Sequence, residues 1–161
     1  MTPTETAAAR AAGQGRRLVP VLLIEDNSAD IRLTLEASSA CGLTRLDVIT
    51  AGDTALAYLR HQPPYQDAPR PGLVLLDLNL PHVDGRQVLT AIKTDPDLHT
   101  IPVIILTTSA APPEIELAYR EHANCYLVKP LGFTALAHTF DIISAFWLDT
   151  VTLPPTQDET R

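Results

Sequence analysis

The sequence predicts an α/β fold in which one parallel sheet is covered by helices on both faces. Five short runs rich in Val, Ile and Leu alternate with five segments of helical spacing between Val19 and Leu148. In most of these runs the apolar residues are consecutive rather than alternating, a pattern typical of strands that are buried on both faces. Because strands and helices alternate, we expect a doubly wound sheet with right-handed crossovers.

The five predicted strands are short and are separated by polar, Gly-containing or Pro-containing segments. In chain order they are Val19 to Ile24, Leu46 to Thr50, Leu73 to Leu76, Val103 to Leu106 and Cys125 to Val128. The segment from Gln62 to Gly72 contains four prolines and is therefore predicted to be a loop.

The five predicted helices rest on apolar spacing, on capping residues and on prolines at their ends. The first begins at a cap at Asn27 or Ser28, and the second covers Ala51 to His61. The third centres on Val88 to Ile92, the fourth begins at Pro112-Pro113, and the fifth runs from Phe133 to Leu148. Asp84-Gly85 is interpreted as a turn at which the third helix starts.

Length and charge limit the class of protein. A chain of 161 residues suits one domain, and a net charge of -7 argues against a nucleic-acid-binding surface. No apolar run approaches the roughly 18 residues that cross a bilayer. We therefore expect no nucleic-acid or membrane partner and a cytoplasmic location.

Cys41 and Cys125 lack CxxC spacing and are predicted to be buried free thiols, with a disulfide or metal site as alternatives.

Polar side chains follow four of the predicted strands. Glu25 and Asp26 come after the first, Asp77 after the third, Thr107 after the fourth and Lys129 after the fifth. In open parallel sheets, ligands bind outside the carboxyl ends of the strands, so we expect these residues to share one site. The proline after Lys129 suggests a cis peptide bond there.

The chemistry of this set favours phosphoryl transfer. Three crowded carboxylates require a cation, and Mg²⁺ prefers such oxygen ligands. We expect Asp26, Asp77 and a carbonyl near Asn79 to bind Mg²⁺, with Glu25 acting through a water. Lys129 and Thr107 would then contact phosphoryl oxygens while Asp77 acts as the nucleophile. Since the sequence shows no P-loop, we expect the chain to receive phosphate rather than to bind ATP. We also expect that it is not an enzyme.

These residues resemble the receiver domain of two-component response regulators. The resemblance covers about residues 19 to 149 and is carried by five motifs. They are Glu25-Asp26, Asp77-Leu78-Asn79-Leu80-Pro81, Asp84-Gly85, Ile104-Ile105-Leu106-Thr107 and Tyr126-Leu127-Val128-Lys129-Pro130. It implies a flavodoxin-like fold with strand order 2-1-3-4-5 and Mg²⁺-dependent phosphorylation of Asp77 by a histidine kinase. It also implies that Thr107 and Tyr126 form a conformational switch.

A narrower resemblance concerns stand-alone regulators that partner phytochrome-type kinases. It is carried by Glu25 to Leu33, by His122 to Tyr126 and by Phe146 to Leu148 followed by Leu153-Pro154. It implies a sensor histidine kinase of the bacteriophytochrome type as partner. Thr108 departs from the small residue that receivers often place after the key threonine, which could narrow access to the phosphoryl group.

Three other interpretations remain open. The acids could be simple caps or turn residues, although their joint occurrence with Thr107 and Lys129 argues against this. An Mg²⁺-dependent phosphohydrolase uses similar chemistry but places its nucleophile on the first strand with an acid two residues later, where this chain has Asn79. A receiver-like module that is never phosphorylated is disfavoured by the complete set of site residues.

The fifth helix carries more apolar surface than one contact needs. Leu136, Phe140, Ile143 and Trp147 form one stripe, and Ile142 and Phe146 form a second flank. The surplus predicts a homodimer, or a cover formed by the C-terminal tail.

Residues 1–17 are predicted to be a flexible tail and 18–149 the receiver domain. Residues 150–161 are predicted to be a second tail, too short for a DNA-binding output domain, that could join the dimer contact.

Overall fold

One parallel sheet organises the structure, a computed structural model that describes residues 18–43 and 45–156. Within these residues the strand order is β2-β1-β3-β4-β5, which confirms the predicted topology. The strands are β1 Val21–Ile24, β2 Leu46–Ile49, β3 Leu73–Leu76, β4 Val103–Thr107 and β5 Cys125–Val128. The expected flexible tail at residues 1–17, and the last five residues of the C-terminal tail, lie outside the described residues.

Helices follow every strand, as the alternating pattern predicts. They are α1 Ser28–Ala40, α2 Gly52–Leu59, α3 Gly85–Thr94, α4 Pro112–Arg120 and α5 Phe133–Ile143. The α-helical part of α5 is shorter than predicted, because the chain continues as a π-helical segment, Ser144–Thr150. Within this segment, Trp147 and Leu148 pack against the core. No described helix has both the length and the apolar character to cross a membrane.

The two faces of the sheet carry separate hydrophobic cores. Leu22, Val74 and Ile105 point to the face covered by α2, α3 and α4. Their strand neighbours Leu23 and Leu75 point to the opposite face, which α1 and α5 cover. Successive side chains of a strand point to opposite faces, so burial of both faces explains the uninterrupted apolar runs.

Helices α1, α2 and α4 end in the same Schellman motif. In α4, the backbone N–H of Ala123 donates to the carbonyl of Ala118 at 3.0 Å, and that of His122 donates to Tyr119 at 3.0 Å. The left-handed residue of the motif is Gly42 after α1, but it is His61 after α2 and His122 after α4, with φ of 52° and 69°. A non-glycine residue in this conformation carries a steric cost, which these two histidines bear.

Two local expectations have different outcomes. Cys41 and Cys125 are free, as predicted, although both are half-buried rather than fully buried. The expectation of a cis peptide at Lys129–Pro130 is wrong, since the cis bond found among the described residues joins Pro63 and Pro64.

The C-terminal segment crosses the edge of the sheet where the strands begin. Leu153 and Pro154 line a small cavity there together with Val19 and Gly72. The segment therefore lies at the end of the molecule opposite to the carboxyl ends of the strands. Ile142 and Phe146 stay 56% and 51% exposed.

The Schellman motifs predict that glycine is favoured at position 122. His122→Gly should raise the free energy of unfolding by about 1 kcal/mol, because glycine adopts positive φ without the steric cost. The matched control is His138→Gly, at an exposed position inside α5, which should lower it by about 0.5–1 kcal/mol. Urea unfolding measures both. Destabilisation by His122→Gly would contradict the assignment of the motif.

Candidate functional site

The carboxyl ends of β1, β3 and β5 meet at the ammonium group of Lys129. Its Nζ donates to Asp77 Oδ2 at 2.9 Å, to Asp30 Oδ2 at 3.0 Å and to Glu25 Oε2. The strand order produces this meeting, because β1 and β3 are neighbours and β5 is two strands from β3. The lysine side chain is 9% exposed, so the ammonium depends on these carboxylates rather than on water.

Burial and hydrogen bonds move the proton affinities of the site in different directions. Burial raises the pKa of Glu25 to about 7, although Lys129 and the Asn27 N–H oppose the shift. Burial also raises the pKa of Asp77, but the Asn79 N–H and Lys129 outweigh it, so that its pKa lies below the usual value. Asp77 is therefore ionised at neutral pH, whereas Glu25 binds a proton more readily than an ordinary glutamate does.

Asn79 connects the phosphoacceptor candidate to the neighbouring strand. Its backbone N–H donates to Asp77 Oδ1 at 3.0 Å, and its side-chain Nδ2 donates to Thr107 Oγ1 at 3.3 Å. Both oxygens of Asp77 thus have donors, one from Asn79 and one from Lys129. Thr107 is buried at the end of β4 and is reached from Asp77 through a single residue.

The acidic cluster differs in one member from the predicted set. Oxygen atoms of Glu25, Asp30 and Asp77 lie within 4.8 Å of one another, whereas Asp26 is exposed and is not in this cluster of described residues. The first turn of α1 brings Asp30 in, since Asn27 caps the helix through the Asp30 N–H at 3.0 Å. The sequence offered one signal for Asp30, an acid three residues after the helix cap that follows β1.

This cluster suits a divalent cation. Carboxylate oxygens are hard ligands, and three carboxylates facing one ammonium leave an excess of two negative charges when all are ionised. Glu25 and Asp77 belong both to this cluster and to the predicted metal set. Asn79 lies beside them, with its N–H on Asp77.

Tyr126 lies in β5 and contacts the loop that follows Thr107. Its hydroxyl donates to the Ser109 carbonyl at 2.9 Å, and its backbone N–H donates to the Tyr119 hydroxyl at 3.1 Å. Nearby, Arg86 and Glu114 form an ion pair at 2.6 Å between the first turns of α3 and α4. Sequence reasoning did not identify Ser109 or this ion pair, because neither belongs to a local pattern.

Gly85 allows α3 to approach Asp77 closely. A methyl group at this position would lie 2.2 Å from the Asp77 carbonyl oxygen and 2.5 Å from Leu78 Cα. The Gly85 N–H donates to the Leu78 carbonyl at 3.1 Å, and Asp84 caps the helix as predicted. The start of α3 therefore supports the turn that carries Asp77 and Asn79.

Comparison with known proteins gives one consistent result. The model of the response regulator receiver domain family matches residues 21–141. Response regulator Rcp1 of Synechocystis sp. is 45% identical over 135 residues, which are 83% of this chain and 92% of that protein.

Two solved structures are similar over most of their length. The Mn(2+)-bound form of response regulator Rcp1 has a TM-score of 0.77 and 44% identity, and the match covers 85% of this chain and 99% of that chain. The phosphorylated cyanobacterial phytochrome response regulator RcpA has a TM-score of 0.80 with the same identity and coverage.

The acidic cluster predicts that a divalent cation stabilises the fold. Mg²⁺ at tenfold excess over its dissociation constant should raise the free energy of unfolding by about 1.4 kcal/mol, because it binds only the folded state. Asp77→Asn should remove most of this increase. Asp53→Asn, which removes an exposed acid in the first turn of α2, should preserve it. Urea unfolding with and without Mg²⁺ measures the effect, and equal stabilisation of both variants would contradict the site.

Proposed function

Because this chain belongs to the response regulator receiver domain family, we propose that it accepts a phosphoryl group on Asp77 within a two-component relay. The observation that carries this proposal is the environment of Asp77. It is a buried, ionised carboxylate at a strand end, with Lys129 on one oxygen and the Asn79 N–H on the other.

The proposed reaction is an in-line displacement at phosphorus. One Asp77 oxygen bonds to phosphorus as the bond from phosphorus to the donor breaks, and its electron pair stays with the donor's imidazole nitrogen. Lys129 and Thr107 would then donate to phosphoryl oxygens. Glu25, Asp26, Asp77 and the Asn79 carbonyl would hold Mg²⁺, which when bound offsets the negative charge of the acids and of the phosphoryl group. The existence of a Mn(2+)-bound form of Rcp1, which is 44% identical to this chain, supports the binding of a divalent metal.

Signal output is proposed to pass from Thr107 to Tyr126. The Thr107 hydroxyl accepts from Asn79 and would reorient to donate to a phosphoryl oxygen. Thr108 and Ser109 follow directly, and the Ser109 carbonyl accepts from the Tyr126 hydroxyl. A shift of this loop would therefore change how Tyr126, in β5, packs against α4, and a protein partner would bind at this surface.

The phosphate donor is proposed to be a sensor histidine kinase of the phytochrome type. The support is the similarity to the phosphorylated phytochrome response regulator RcpA over 85% of this chain. We therefore also propose a cytoplasmic location. Neither nucleic acid nor a membrane is proposed as a partner, and we assign the protein a signalling rather than an enzymatic role.

The phosphohydrolase alternative lacks a second catalytic acid. Asp77 follows β3 rather than the first strand, and the residue two positions later is Asn79, whose side chain donates to Thr107. A phosphohydrolase of the aspartyl-phosphate type would require an acid there to protonate the leaving group.

The acceptor proposal predicts stoichiometric labelling. With Mg²⁺ and acetyl phosphate, one phosphoryl group per chain should be incorporated, and Asp77→Asn should abolish incorporation because the nucleophilic oxygen is lost. Asp53→Asn is the charge-matched control and should be labelled normally. Intact-mass spectrometry detects the added phosphoryl group, and the same three proteins are then exposed to candidate autophosphorylated kinases.

Two results would contradict the acceptor proposal. One is labelling that persists in Asp77→Asn. The other is repeated turnover of simple phosphomonoesters, which would favour the phosphohydrolase.

We propose a homodimer through α5, because some of its apolar residues are buried against the sheet while others are exposed. Leu136, Phe140 and Ile143 are buried against the sheet, as the first stripe predicts. Ile142 and Phe146 remain exposed on the second flank. The described part of the C-terminal tail does not cover them, because it lies at the edge of the sheet where the strands begin. Two copies related by a twofold axis would bury this flank against itself.

Charge placed on the second flank should break the dimer. Ile142→Glu is expected to weaken self-association at least tenfold, because the carboxylate would be buried without a partner. Thr134→Glu adds the same charge at an exposed position in the first turn of α5 and should leave association unchanged. Sedimentation equilibrium measures both. A wild-type monomer at high micromolar concentration, with and without phosphorylation, would refute the dimer.

A further inference from the structure

The Lys129 ammonium uses its whole hydrogen-bonding capacity within the acidic cluster. An ammonium group has three N–H donors, and Glu25, Asp30 and Asp77 are its three acceptors. A phosphoryl oxygen can therefore receive a donor from Lys129 only if one of these carboxylates gives it up.

The three carboxylates differ in the free-energy cost of losing their hydrogen bond with the Lys129 ammonium. The side chains of Glu25 and Asp77 are 1% and 7% exposed, so that neither can replace the lost donor by water. The Asp30 side chain is 34% exposed. Water can hydrate its carboxylate after release, which makes Asp30 the least costly of the three to separate from the ammonium.

Asp30 is also held in place independently of Lys129. The Asn27 side chain accepts from the Asp30 N–H at 3.0 Å, and Glu25 Oε1 accepts from the Asn27 N–H at 3.0 Å. This network connects the end of β1 to the first turn of α1. Asp30 can thus give up the ammonium without moving its own backbone.

We propose that Asp30 is a positioning residue that holds Lys129 in the resting site and releases it when a phosphoryl group arrives. This inference rests on the proposed phosphoryl-acceptor function. Asp30 and the phosphoryl group compete for one N–H donor of Lys129. The strength of the Asp30–Lys129 contact then sets how favourably the site takes up a phosphoryl group.

Removal of the competitor should strengthen binding of a phosphoryl mimic. Beryllofluoride binds a carboxylate as a tetrahedral analogue of the phosphoryl group. At saturating Mg²⁺, Asp30→Asn should bind it about two- to fivefold more tightly than wild type, which is the range expected for a partly exposed ion pair. Fluorine-19 NMR of the bound species measures affinity without any turnover. Saturation by Mg²⁺ is verified for each variant by calorimetric titration.

Three further variants separate positioning from a general charge effect. Asp30→Glu keeps the carboxylate and should return the affinity toward the wild-type value. Asp53→Asn removes a charge from the first turn of α2 without contacting Lys129 and should have no effect. In a Lys129→Gln background, Asp30→Asn should also have no effect, since the ammonium for which it competes is gone.

Each outcome distinguishes this inference from the function on which it rests. Tighter binding by Asp30→Asn that disappears in the Lys129→Gln background supports it. Unchanged or weaker binding by Asp30→Asn at saturating Mg²⁺ overturns it and leaves the acceptor function intact. The same gain with and without Lys129 overturns it as well. A wild-type protein that binds no beryllofluoride overturns both.

Discussion

The contact between one buried ammonium and a set of carboxylates is the constraint on which this site depends. Lys129 has little access to water, and Glu25 and Asp77 have even less. A buried charge without a partner would cost several kcal/mol, so each member of the set requires the others to be in place. Glu25, Asp77 and Lys129 follow β1, β3 and β5, so the site forms only when these strands are assembled in the correct order.

Charge balance connects this constraint to the proposed chemistry. The cluster holds more negative than positive charge, and burial already raises the pKa of Glu25 to about 7. The addition of a phosphoryl group increases the negative charge further. A divalent cation and a transferable lysine donor are therefore complementary requirements, because one offsets charge while the other orients an oxygen.

The residues proposed to transmit the signal lie at the end of β4 and in β5. Thr107 ends β4, and Tyr126 lies in β5 with its hydroxyl on the Ser109 carbonyl. The Arg86–Glu114 ion pair holds the first turn of α4 near the same loop. A movement of Thr107 would therefore affect two contacts that lie outside the acidic cluster, the Tyr126–Ser109 hydrogen bond and the Arg86–Glu114 ion pair. The surface of α4 and β5 also carries exposed apolar side chains, including Tyr119 and Val128, that a protein partner could contact.

The sequence by itself determined the elements and most of the site, because their signals are local. Consecutive apolar runs predicted the strands, and the polar residues after four of the five runs indicated which edge of the sheet carries the candidate site. Tertiary structure alone decided that Asp30 joins Lys129 and that Asp26 stays exposed, since the contact spans 99 positions of the chain. It also decided that the described part of the C-terminal tail leaves Ile142 and Phe146 uncovered. Such choices depend on how separate elements pack in space, which no spacing along the chain records.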